Sequence, residues 1–139
     1  MRFLIPALAL FLALSLSACR DPGGVAFSVG APPPSLFEGV YDIPCSEVRQ
    51  QVREKMKQDP GLGLNQETIE SDLASYATPE HWNGNLSWKA TVRVRCTGEK
   101  SSQISVKVWA QKRAQGGWNQ VTDTTKMQRE ILDKVTPKP

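Results

Sequence analysis

The hydrophobic pattern of the chain changes period several times, and each change marks an element. Residues Phe3 to Leu16 follow a single Arg2, are apolar apart from Pro6 and Ser15, and give way to small residues, which is the layout of a secretory signal. The run is fourteen residues long, whereas a helix needs about 20 apolar residues to cross a bilayer core, and no later stretch reaches that length. Residues Arg20 to Ser35 carry Pro22, Gly23, Gly24, Gly30 and Pro32-Pro33-Pro34 with few large apolar side chains. This reads as a tether, flexible at its glycines and stiff at its prolines, able to stand a domain off a membrane by a few tens of Å.

The folded part is expected to begin with a strand over Leu36 to Ile43, ended by Pro44. A helix follows, with Ser46 as its cap and Glu47 in its first turn, because Cys45, Val48, Val52 and Met56 recur every three or four residues. Asp59-Pro60-Gly61 stops it. Gln66 to Ala77 fits two periods: Ile69, Leu73 and Tyr76 suit a helix, while Ile69, Ser71, Leu73 and Ser75 alternate as in a strand. A strand is expected here, since the sheet needs a nearby partner. Thr78 to Asn85 reads as a loop with Asn83-Gly84 as a turn.

From Leu86 to Cys96 the alternation is clean: Leu86, Trp88, Ala90, Val92, Val94 and Cys96 point one way, and Ser87, Lys89, Thr91, Arg93 and Arg95 the other. After a polar turn, Ile104, Val106, Val108 and Ala110 are expected inside, and Ser105, Lys107, Trp109 and Gln111 outside. Gly116-Gly117 ends this strand, Trp118 to Val121 adds a short edge segment, and Asp123 or Thr124 caps a last helix whose Met127, Ile131, Leu132 and Val135 face one side. A one-sided apolar sheet must be covered, and two amphipathic helices are the cover this chain offers. The expected fold is α+β, a two-layer sandwich in the order β-α-β-β-β-α, with an antiparallel sheet covered on one face by two helices.

The end of the apolar leader reads Leu16-Ser17-Ala18-Cys19, which resembles the lipobox of bacterial lipoproteins. The resemblance implies cleavage before Cys19, a diacylglycerol on its thiol and an acylated amino terminus, and so a palmitate-type lipid anchor. Several acyl chains hold a protein to a membrane far more durably than one, each buried CH₂ contributing about 0.8 kcal/mol. Three segments are expected: a cleaved signal peptide over 1–18, the lipidated Cys19 and its tether over 19–35, and one periplasmic domain over 36–139. Arg20 follows the cysteine where an aspartate would resemble an inner-membrane retention signal, which favours the outer membrane facing the periplasm over the inner membrane, although Asp21 stands one place later.

Removal of residues 1–18 takes away Arg2 and no acid, so the 17 basic and 14 acidic residues of the chain become nearly balanced. The distribution is less even. Nine acids face four bases between Glu38 and Glu80, and seven bases face Glu99 alone between Leu86 and Arg113. Such asymmetry predicts a dipolar surface.

With Cys19 carrying lipid, Cys45 and Cys96 remain, and an even pair in an oxidising compartment predicts a disulfide, two unpaired structural thiols being the alternative. The bond would close a loop of about fifty residues, worth roughly 2 to 4 kcal/mol. A nucleophilic thiol would need a neighbouring base, and the one histidine is His81.

The element order behind a lipobox, with strands such as Leu86-Ser87-Trp88-Lys89-Ala90-Thr91-Val92-Arg93-Val94, resembles the helix-grip domains of periplasmic lipoproteins of the BamC type, over Leu36 to Val135. The resemblance implies a non-catalytic envelope module and carries over no functional residue.

Candidate chemistry is sparse. No spacing suits zinc or calcium, and no cofactor is expected. Glu70 and Asp72 on a strand would share a face, as paired-carboxylate hydrolysis could use, although solvated strand carboxylates are far commoner. His81-Trp82 in a loop could read a sugar or peptide, or fold over the core. The outer strand face, with Lys89, Arg93, Arg95, Lys107 and Arg113 around Trp109, suits an envelope protein or anionic lipid headgroups, against the plainer reading of an ordinary solvated face. Nucleic acid does not suit an envelope-anchored domain. The function expected is a membrane-anchored, non-catalytic binding or assembly-accessory module using Lys89, Arg93, Arg95, Lys107, Trp109 and Trp82; the alternative is a lipoprotein that binds a small ligand or inhibits an enzyme, gripping its target between the first helix and the sheet.

Overall fold

A computed structural model of the chain describes residues 36–38 and 41–138. The signal segment, Cys19 and the tether lie outside the described residues. The chain runs β1 (Leu36–Glu38), α1 (Cys45–Gln58), β2 (Gln66–Ile69), β3 (Leu73–Ala77), β4 (His81–Asn83), β5 (Leu86–Gly98), β6 (Ser101–Ala114), β7 (Gly117–Gln120) and α2 (Thr125–Val135). This is an α+β fold built on an open antiparallel sheet.

The β5–β6 hairpin is the spine of the sheet. Its register sets Ala90 against Val108, Val92 against Val106 and Val94 against Ile104, so the apolar parity of both strands falls on one face. All six of these side chains are buried. Both strands are long enough to take two sets of neighbours. At one end β3 and then β2 pair outward from β5, with β1 beside β6; at the other end β4 pairs β5 and β7 pairs β6.

Helix α1 presents Cys45, Val48, Val52 and Met56 to the core, the stripe read from their spacing, and α2 adds Ile131, Leu132 and Val135. Together with Ala74, Tyr76 and the inward positions of β5 and β6 they form one cluster. Burying a side chain the size of valine contributes about 1.5–3 kcal/mol, so this cluster is the main favourable term in the fold. Because the buried cluster falls between Cys45 and Val135, the stretch from residue 36 onward carries a core of its own.

The element order departs from the expected one in several places. The strand expected over Gln66 to Ala77 is a hairpin of two, since Glu70-Ser71-Asp72 is polar and turns the chain; Glu70 N–H donates to the Leu73 carbonyl at 2.7 Å. The loop expected over Thr78 to Asn85 contains β4, which satisfies the first positions of β5; its turn uses Gly84 at φ 57°. The first strand is shorter than expected, covering Leu36–Glu38, with residues 39 and 40 outside the described residues and Tyr41 to Pro44 in no strand. The edge segment is a true strand, with Trp118 opposite Arg113.

One helix end is corrected, and the others fall where expected. Helix α1 starts at Cys45, one residue ahead of the expected cap, so Ser46 lies in its first turn and the Pro44 carbonyl accepts from Glu47 and Val48 N–H. Asp59 stops it as expected, its own N–H donating to Lys55 O. At α2, Thr124 holds the cap position without a side-chain bond, while Asp123 Oδ1 accepts from Thr125 N–H at 3.1 Å. Polar ties then fix α1 to its surroundings: Arg53 Nε donates to Glu67 Oε2 of β2 at 2.8 Å, and Tyr76 OH to the Arg49 carbonyl at 3.2 Å.

Candidate functional site

Strand alternation that buries Ala90, Val92 and Val94 turns Lys89, Thr91, Arg93 and Arg95 to the opposite face. The same parity on β6 turns out Gln103, Ser105, Lys107, Trp109, Gln111 and Arg113. All five cations read from the sequence therefore share one sheet face, and the outward positions from Ser87 to Arg95 extend over about 27 Å at ~3.4 Å per residue.

The cations are interleaved with small or neutral side chains rather than with acids. Arg93 lies between Ser75 and Ser105, Arg95 between Leu73 and Gln103, and Lys107 beside Thr91. Lys89 pairs in register with Trp109, its Nζ 5.1 Å from the ring centroid. A cation–π contact of this kind contributes about 0.5–1 kcal/mol near a surface. None of the outward positions described on the strands is acidic. Glu80, just before β4, reaches this face and accepts a hydrogen bond from Ser87 Oγ.

The dipeptide His81-Trp82 is split by the alternation of β4. His81 turns to the core side, where it stacks on Trp88, while Trp82 turns outward opposite Ser87. Trp82 is 62% exposed and packs edge to face against Trp118, itself 39% exposed, with ring centroids 5.3 Å apart. Trp118 is the member of this face that sequence reasoning missed. The signal for it was the Gly116-Gly117 turn, which folds β7 back beside β6 and carries an indole to the face that Arg113 occupies. Three of the four tryptophans, 82, 109 and 118, thus belong to the cationic face.

No protein-family model and no curated protein matches this sequence.

The remaining candidates are not brought together. Glu70 and Asp72 sit in the exposed β2–β3 turn instead of sharing a strand face, so the alternation that would have paired them is absent. Among the described residues, no group of three or more His, Cys, Asp or Glu side chains forms a metal-ligand cluster, and no helix is long and apolar enough to cross a membrane. Cys45, at the start of α1, and Cys96, near the end of β5, lie at disulfide distance with Cα atoms 5.7 Å apart. The space between α1 and the sheet is filled by the chain's own side chains, Val48, Val52 and Met56 being wholly buried there.

Proposed function

We propose that this chain is an exported lipoprotein, cleaved before Cys19 and acylated on it, whose domain is a non-catalytic binding module. In this reading the domain is a two-layer sandwich, α1 and α2 covering one face of the sheet, as in the helix-grip lipoproteins it resembles. The lipid holds it to the outer membrane on the periplasmic side, and an oxidising compartment joins Cys45 to Cys96. The other face of the sheet engages an envelope component.

The observation that carries the reading is the make-up of that face. Five cations and three tryptophans share it with no acid at the outward strand positions. A solvated face of a small domain ordinarily mixes both signs of charge and exposes few large aromatic rings. The filled space between α1 and the sheet favours this reading over one in which a ligand is gripped there.

The test is photo-crosslinking in cells from positions 93 and 109 of the full chain. An envelope protein or lipid should be trapped from both positions and not from exposed α2 positions such as 126. Trapping nothing from either position overturns the binding reading, and an intact mass without lipid on Cys19 overturns the anchoring one.

A further inference from the structure

We infer that the cationic sheet face is a membrane-docking surface, and that its occupant is the phosphate-bearing surface of an anionic bilayer. The inference rests on the reading of that face as a binding surface and names what it binds.

Three features point to a plane of phosphates rather than to a discrete ligand. The cations do not converge on one point: Arg93 and Arg95 sit two residues apart on β5, Lys107 lies across on β6, and Lys89 and Arg113 lie toward the far end. Their lateral neighbours are Ser75, Ser105, Thr91, Leu73 and Gln103, which leave the charged ends free to meet many separate phosphates. Repeated, spaced contacts of this sort suit a headgroup layer, where each Lys or Arg adds its own increment of attraction.

The tryptophans supply the second feature. Trp82 and Trp118 are the most exposed indoles of the domain, and they stand together at the end of the face where β4 and β7 flank the central hairpin. An indole has an apolar body and one N–H donor, which suits it to the boundary between headgroups and acyl chains. A paired set at one end of a cationic face is the arrangement expected of a shallow hydrophobic foothold beside an electrostatic contact.

The third feature is geometry along the chain. β1 begins at Leu36, and the sixteen residues from Arg20 to Ser35 span at most about 55 Å when fully extended. With Cys19 acylated, the domain is confined within that distance of a bilayer, so even a weak intrinsic affinity keeps the face on the membrane.

The test uses residues 36–139, which carry their own core, in sedimentation with vesicles of phosphatidylcholine alone or with added phosphatidylglycerol. The domain should sediment with the anionic vesicles only, and added salt should release it. Neutralisation by R93Q, R95Q and K107Q should weaken binding about fivefold per charge removed. Brominated lipid should quench the emission of the parent, and W82A with W118A should remove most of that quenching, leaving the share of Trp109, while near-ultraviolet circular dichroism reports an intact fold.

Equal sedimentation with neutral vesicles, no sedimentation at all, or undiminished binding by the folded charge variants overturns the inference. So does displacement by inorganic phosphate at matched phosphate concentration, which would mark single-anion binding. If vesicles fail while position 93 traps an envelope protein in cells, the membrane inference falls and the binding module stands; if both fail, both fall.

Discussion

His81 and Trp88 lie stacked across the β4–β5 pair, ring centroids 4.3 Å apart and planes 22° apart, with His81 Nε2 2.8 Å from the carbonyl oxygen of Leu62. The ring nitrogen donates to that carbonyl and the ring face covers the indole, so the single histidine ties β4 to the loop after α1. His81→Ala removes one hydrogen bond to a buried residue and one aromatic pair, for an expected loss of about 1–3 kcal/mol. Urea denaturation measures this, and binding through the opposite sheet face should be unchanged. A loss of binding with no change in stability would return His81 to the list of ligand-reading residues.

Cys45 and Cys96 give a second prediction. The two are 51 positions apart in sequence and meet at the edge of the core. Replacing both with serine should cost about 2–4 kcal/mol. Thermal melts with and without reductant check it: the parent should lose that stability on reduction, and the double variant should not respond. Protein purified from an oxidising compartment should show no thiol reactive toward alkylating reagent.

Acid should loosen the α1–α2 end of the domain. Asp59 Oδ2 lies 3.0 Å from Lys134 Nζ, and Asp59 Oδ1 accepts from Gly61 N–H at 2.7 Å. The bond to Lys134, helped by the backbone donors of Gly61 and Leu62, holds the carboxyl below its ordinary value of 3.8. A depressed folded value means that the unfolded chain takes up its proton first as pH falls. The contribution is therefore complete above the ordinary value and is lost as pH drops through the lower folded one. Asp59→Asn should cost under about 1 kcal/mol near neutral pH. It should also flatten the acid limb of a pH–stability curve, and an unchanged limb would refute this assignment.

Ser102 carries a hydroxyl into the core. It is wholly buried opposite Cys96 at the start of β6, and among the described residues its Oγ has no hydrogen-bond partner. Removing an unsatisfied buried polar atom relieves its desolvation cost. Ser102→Ala should be neutral or stabilising by up to about 1 kcal/mol, read as a higher denaturant midpoint with an unchanged slope.

The parts of the fold legible in the sequence are those where local period and burial agree. The β5–β6 alternation puts Val92 and Val106 inside and Arg93 and Lys107 outside without help from any other element, and the α1 stripe needs only its own spacing. The Gln66 to Ala77 stretch was not separable, because the apolar side chains of Ile69 and Leu73 satisfy both periods and the break comes from the polar turn between them. Strand β4 has three residues and little pattern of its own; it forms against the first positions of β5. Five cations of the candidate face could be read from parity alone. The Trp82–Trp118 contact could not, since it joins two hairpins through the sheet and no local signal spans 36 positions.

A bond between Cys45 and Cys96 would also govern how load enters the domain. Tension applied ahead of β1, once past the three residues that pair with β6, would reach Cys45 at the head of α1 and pass through the bond to Cys96 on β5, the strand that pairs along nearly all of β6. The helix, the β2–β3 hairpin and β4 all lie inside the closed loop, and none of them can be peeled away in sequence by a pull from that side. The bond would thus shield that whole stretch from the pull and make the head of α1 and the end of β5 a single anchor point.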